Sequence, residues 1–84
     1  MSSESVLRYI SVFERASDAH VRDIHFSNLP SLQELQSIFL VGADDPMYDE
    51  YPIGARIASR LTPFIRESLD FERFEYFLSC DAAT

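Results

Sequence analysis

Residues 6–14, Val-Leu-Arg-Tyr-Ile-Ser-Val-Phe-Glu, constrain the fold more than any other stretch, because they carry bulky apolar side chains on both sides of an extended chain. Successive side chains of a strand point to opposite faces, so Ile10 and Val12 share one face while Leu7, Tyr9 and Phe13 share the other. A strand apolar on both faces belongs in the interior of a sheet. Its β-branched and aromatic residues favour the same conformation. A second strand is predicted over 20–26, after the turn formers Ala16-Ser-Asp-Ala19. Pairing Glu14 with Arg22 would set Val12 against Ile24 and Ile10 against Phe26, a continuous apolar face beneath a cross-strand ion pair.

Asn28-Leu-Pro-Ser31 breaks the strand, and Ser31-x-x-Glu34 has the spacing of a capping box. Leu32, Leu35, Ile38 and Phe39 then fall on one helical stripe, with Gln33, Glu34, Gln36 and Ser37 elsewhere, and the helix should end by Gly42. Residues 43–53 hold two prolines and read as an ordered loop. Helical spacing resumes from Gly54 through Ala55, Ile57, Ala58, Leu61, Phe64 and Ile65, with a kink or two abutting helical pieces at Pro63. Phe74, Tyr76, Leu78 and Cys80 alternate as a third strand within 71–80. The predicted class is α+β, in the order β-β-α-α-β: a three-stranded, mainly antiparallel sheet with its first strand central and two helices on one face. The expected core is Ile10, Val12, Ile24, Phe26, Leu35, Phe39, Ile57 and Leu61.

An 84-residue chain forms one domain that buries roughly 60–65% of its unfolded surface. That domain should span 1–84, with an ordered core over about 6–80. Hydrophobic content of 46% and only two glycines place it among folded chains. Fourteen acids face seven basic residues, all arginine, for a net charge of −7. So acidic a chain lacks the cations that displace counterions from a nucleic-acid backbone, which argues against direct nucleic-acid binding. Net charge is −5 over residues 41–84 and −2 over 1–40, so docking is expected on the second half. Cys80 is single and excludes an intrachain disulfide. Met1-Ser-Ser-Glu-Ser lacks a basic and apolar leader, and no apolar run reaches the ~18–20 residues of a membrane span. A soluble, cytoplasmic protein without membrane attachment is expected.

The densest chemistry lies in Asp44-Asp-Pro-Met-Tyr-Asp-Glu-Tyr-Pro52, with four carboxylates, two tyrosines and no base. Acids attract a basic partner and aromatics supply area that can be desolvated on docking, so Asp44, Asp45, Tyr48, Asp49, Glu50 and Tyr51 are the candidate partner-binding residues. Solvated loop charge is the ordinary reading of such a run. A metal site is not expected: the acids lack EF-hand spacing, and Gly42 precedes them instead of turning among them. His20 and His25, five apart on a strand, should point to opposite faces and could not share a metal. Nothing assembles a nucleophile, a base and a supporting third group, so neither an enzyme nor a cofactor is expected. Cys80 reads as a small core residue. Tyr9, Phe13, Tyr76 and Phe77 are candidates for an exposed patch on the helix-free sheet face, and a contact there, including a homodimer, is the minority reading.

Taken together, Tyr9-Ile-Ser-Val-Phe13, Leu32-Gln-Glu-Leu-Gln-Ser-Ile-Phe39, Asp44-Asp-Pro-Met-Tyr-Asp49 with Tyr51-Pro-Ile53, and Asp70-Phe-x-x-Phe-x-Tyr-Phe-Leu78 resemble a family of small bacterial proteins of unassigned domain function found near polymorphic toxin genes. The resemblance implies an immunity protein, of the kind used in contact-dependent growth inhibition, that binds the C-terminal toxin domain of a cognate partner. Such toxins are often basic nucleases. An acidic face would dock on one by electrostatic steering and cover its substrate groove, giving non-covalent, stoichiometric inhibition. The alternatives are an acidic adaptor or homodimeric structural protein without a toxin, and a nucleic-acid mimic directed at a DNA-binding enzyme.

Overall fold

A computed structural model describes residues 6–82; residues 1–5, on which the expectation of no leader rested, lie outside the described residues. The elements are β1 (Val6–Glu14), β2 (His20–Ile24), α1 (Leu32–Phe39), β3 (Tyr51–Pro52), α2 (Ala55–Leu61), a 3₁₀ turn (Thr62–Phe64) and β4 (Phe74–Ala82). The sheet is therefore four-stranded, in the order β2-β1-β4-β3 with every neighbouring pair antiparallel, and the expected three-stranded β-β-α-α-β arrangement is corrected. The unforeseen strand is two residues long, too short to show alternation. Pro52 has no N–H to donate and is tolerated because β3 is an edge.

The organising contact is the β1–β4 ladder, which runs in unbroken register from Val6↔Ala82 to Glu14↔Phe74. It sets Ile10 against Leu78 and Val12 against Tyr76, and these join Ile24 in the core, so Tyr76 lies on the covered face and not, as expected, in the helix-free patch with Phe77. Leu35, Ile38 and Phe39 from α1 and Leu61 at the end of α2 cover the same face. Phe26 and Ile57, expected inside, pack against this core but remain partly exposed. The buried phenol of Tyr76 accepts the Asp70 N–H at 2.8 Å, so its hydroxyl is not stranded. Among the described residues, no buried side-chain nitrogen or oxygen lacks a hydrogen-bond partner.

Local chemistry sets the element ends. Ser31 Oγ accepts the Glu34 N–H at 3.1 Å and Glu34 Oε1 accepts the Ser31 N–H at 2.8 Å, closing the capping box. At the other end of α1, Leu40 takes φ 58 and closes the helix before Gly42. α2 starts at Ala55 behind Gly54, whose extended backbone supplies no side-chain cap, and passes directly into the 3₁₀ turn at Pro63.

The β1–β2 register differs from the expected one by two residues: Ile10 pairs with Ile24 and Val12 with Arg22. A shift of two preserves the faces, so the apolar side still meets the core. Arg22 bonds Glu67 at 2.7 Å in place of Glu14. Between Val12 and Phe13 the register slips again, so that Phe13 faces His20 and Val21 is left unpaired as a bulge. A bulge inverts side-chain parity along the strand. His20 therefore lies beside Phe13, with ring centroids 5.4 Å apart, and His25 beside Tyr9 at 6.1 Å. Both histidines share the helix-free face, which corrects the expectation that they diverge.

Candidate functional site

The Asp44–Tyr51 loop is held from three sides. From α1, the buried Gln36 donates Nε2–H bonds to the carbonyls of Ala43 at 3.1 Å and Asp45 at 2.8 Å. From β1, Arg8 donates to the carbonyls of Met47 at 2.8 Å and Pro46 at 3.1 Å. From within, the Asp45 carboxylate accepts the Met47 N–H at 2.8 Å and the Tyr51 hydroxyl at 3.0 Å. A turn in which the Asp45 N–H bonds the Gly42 carbonyl at 3.1 Å begins the loop. A Cβ on Gly42 would come within 3.0 Å of Asp44 Oδ1, so glycine leaves room for that carboxylate.

Met47 is the pivot. Its side chain is fully buried and its backbone stands at φ 57, the left-handed region that costs an L-residue roughly 1–2 kcal/mol. Such a conformation persists where the surroundings over-determine it. Here the peptide N–H, the carbonyl and the thioether are all committed, to Asp45, Arg8 and the core. The inward turn of Met47 directs its neighbours outward: Tyr48 is 49% exposed, and Asp44, Asp49 and Glu50 are exposed.

The six residues singled out by sequence are thus brought together but divide in role. Asp45 and Tyr51 are half-buried supports, the Tyr51 ring lying edge-on to Phe39 at 6.0 Å. Burial, with the hydrogen bond to Asp45 adding, raises the Tyr51 pKa above its ordinary value. Asp44, Tyr48, Asp49 and Glu50 form the outer surface. Glu50 reaches past the sheet edge to Ser79 Oγ at 3.5 Å, joining the loop to the helix-free face. Cys80 is half-buried beside Val6, Tyr48 and Asp81.

Sequence reasoning missed the two anchors, Arg8 and Gln36. A signal existed for Arg8: strand parity places it on the face of Ile10 and Val12, where an arginine needs acceptors. Gln36 gave none, because it lies on the flank of the α1 stripe and its partners are loop carbonyls.

Among the described residues, no group of three or more His, Cys, Asp or Glu side chains is placed to hold a metal ion. No helix among them is long and apolar enough to cross a membrane. The architecture is a small antiparallel α+β domain whose sheet is covered by helices on one face and open on the other. The chain belongs to the family described as a domain of unknown function, DUF7683, whose model matches residues 7–79. No curated protein and no solved structure matches it.

Proposed function

We propose that this protein is a stoichiometric, non-catalytic binding module that holds a basic protein domain against its acidic loop. The partner implied by the resemblance is the C-terminal toxin domain of a bacterial contact-dependent system, which the module would neutralise in the cytoplasm by occlusion. One observation carries the reading: the loop is clamped by Gln36, Arg8 and Asp45, yet projects Asp44, Tyr48, Asp49 and Glu50. A contact loop already in its bound shape loses little entropy on docking. Its carboxylates steer a cationic partner, and Tyr48 supplies an anchor to be desolvated. Asp45 and Tyr51 then act on binding only by shaping the loop.

The test is co-expression of the chain with the C-terminal domain of the protein encoded beside its gene. A one-to-one complex that restores growth is expected. Growth arrest that the chain does not relieve, or failure of the two purified proteins to associate, would overturn the reading.

A further inference from the structure

The helix-free face of the sheet is built unlike the core face. At its centre Ser11 and Ser79 join through their hydroxyls at 2.7 Å, both buried although no helix lies above them. Their cover is the surrounding side chains of the same face. The rings of Phe13 and Phe77 meet edge to face at 5.7 Å on one side, and Tyr9 stands on the other. Around the rings, three carboxylates are each fixed by a neighbour: Asp81 by the Tyr9 hydroxyl at 2.9 Å, Asp23 by His20 at 2.7 Å, and Glu50 by Ser79 at 3.5 Å. The one arginine on this side, Arg15, is bonded to Glu75 at 3.0 Å.

One stretch elsewhere in the molecule has the opposite sign. Residues 55–66, which comprise α2, the 3₁₀ turn and the two residues after it, carry exposed Arg56, Arg60 and Arg66 and no acid. A cation is repelled by that stretch and drawn to the carboxylates of the loop and the open face. The phenol of Tyr9 registers this field: its pKa is raised by the hydrogen bond to Asp81, with burial and the charges of Asp81, Asp23 and Glu50 adding.

We infer that the open sheet face is the second half of the docking surface and seats an arginine-rich segment of the partner protein. The inference rests on the proposed function and names the chemistry recognised. A guanidinium is planar; it stacks on an aromatic ring while its fork bonds a carboxylate, whereas a lysine ammonium offers only a point charge. Tyr9, Phe13 and Phe77 supply rings, and Asp23, Glu50 and Asp81 supply acceptors beside them. Because Glu50 belongs to the loop yet touches Ser79, one ligand can contact both regions.

The experiment is titration of the labelled protein with oligo-arginine and oligo-lysine peptides of equal length, followed by NMR. Arginine is expected to bind about threefold to fivefold more tightly and to shift the amides of Tyr9, Ser11, Phe13, Phe77 and Ser79. A Phe13→Leu/Phe77→Leu variant, checked for its native circular dichroism, should bind the two peptides equally. An Asp23→Asn/Asp81→Asn variant, which leaves the rings in place, should weaken both. Shifts confined to residues 44–50, or equal affinities in the native protein, would overturn the inference and leave the loop reading standing. Absence of any shift would overturn it as well, and co-expression alone would then judge the loop. Sedimentation showing a dimer that hides Tyr9 and Phe13 would assign the face to a second copy and refute a heterologous partner.

Discussion

The two faces of this sheet use the same strands for opposite ends. On the covered face, Ile10, Val12, Ile24, Tyr76 and Leu78 meet the helices and close a core. On the open face, aromatic rings alternate with carboxylates and serines, and the side chains shield one another. The strands are amphipathic in a limited sense only: both faces are bulky, but one is satisfied within the chain and the other is satisfied in part. Stability should therefore reside on the first face, while the proposed recognition falls on the second and on the loop beside it.

The contrast is steepest between neighbouring residues of β4. Leu78 is 1% exposed on the covered face, whereas Phe77 is half-buried on the open one. Leu78→Ala should lose about 2–5 kcal/mol in urea unfolding, and Phe77→Ala nearer 1 kcal/mol. Equal losses would show that the open face is a second core.

The same contrast recurs within the loop. Met47→Ala, which empties a fully buried site, should cost about 2–4 kcal/mol. Asp45→Asn should cost about 1–2 kcal/mol through the two donors it serves, while Asp44→Asn should stay within about 0.5 kcal/mol. Chemical denaturation of the three variants side by side orders them, and an Asp44 effect as large as that of Asp45 would contradict the division into support and contact.

A pH effect follows from the raised tyrosines. The folded state holds Tyr9 and Tyr51 protonated above their ordinary value of about 10. Their stabilisation is fully present below the unfolded value and is lost as pH rises through the folded one. Unfolding midpoints should fall between pH 9 and about 11, and Tyr51→Phe should flatten part of that fall. The smallest effect concerns Leu40, 69% exposed at φ 58: Leu40→Gly should stabilise by about 0.5 kcal/mol in the same assay.

What could be read from sequence follows from range. The alternation of β1, the capping box at Ser31 and the stripe of α1 are local patterns, and each appears where its spacing placed it. The break at Pro63 was likewise legible. The bulge was not, because Val21 carries no glycine or proline to mark it, and with it went the direction of His20. β3 is set by pairing to β4, with no period of its own. Ile53 is a core residue beside an irregular segment, where a single apolar side chain has no pattern to announce it. The six loop residues were recognisable by composition. Their division into half-buried supports and exposed side chains was not, since the clamps come from Arg8, 39 residues from Met47, and from Gln36.

In the proposed function the residues of the loop that meet the partner are distinct from those that hold its shape. Association of the partner domain with the wild-type chain and with the Asp44→Asn/Asp49→Asn/Glu50→Gln variant, measured at two salt concentrations alongside the urea midpoint of each, separates the two roles. The midpoint should be unchanged, the association rate lowered by about tenfold or more at low salt, and the salt dependence flattened. Unchanged association, or a slowing accompanied by a lower midpoint, would contradict that distinction.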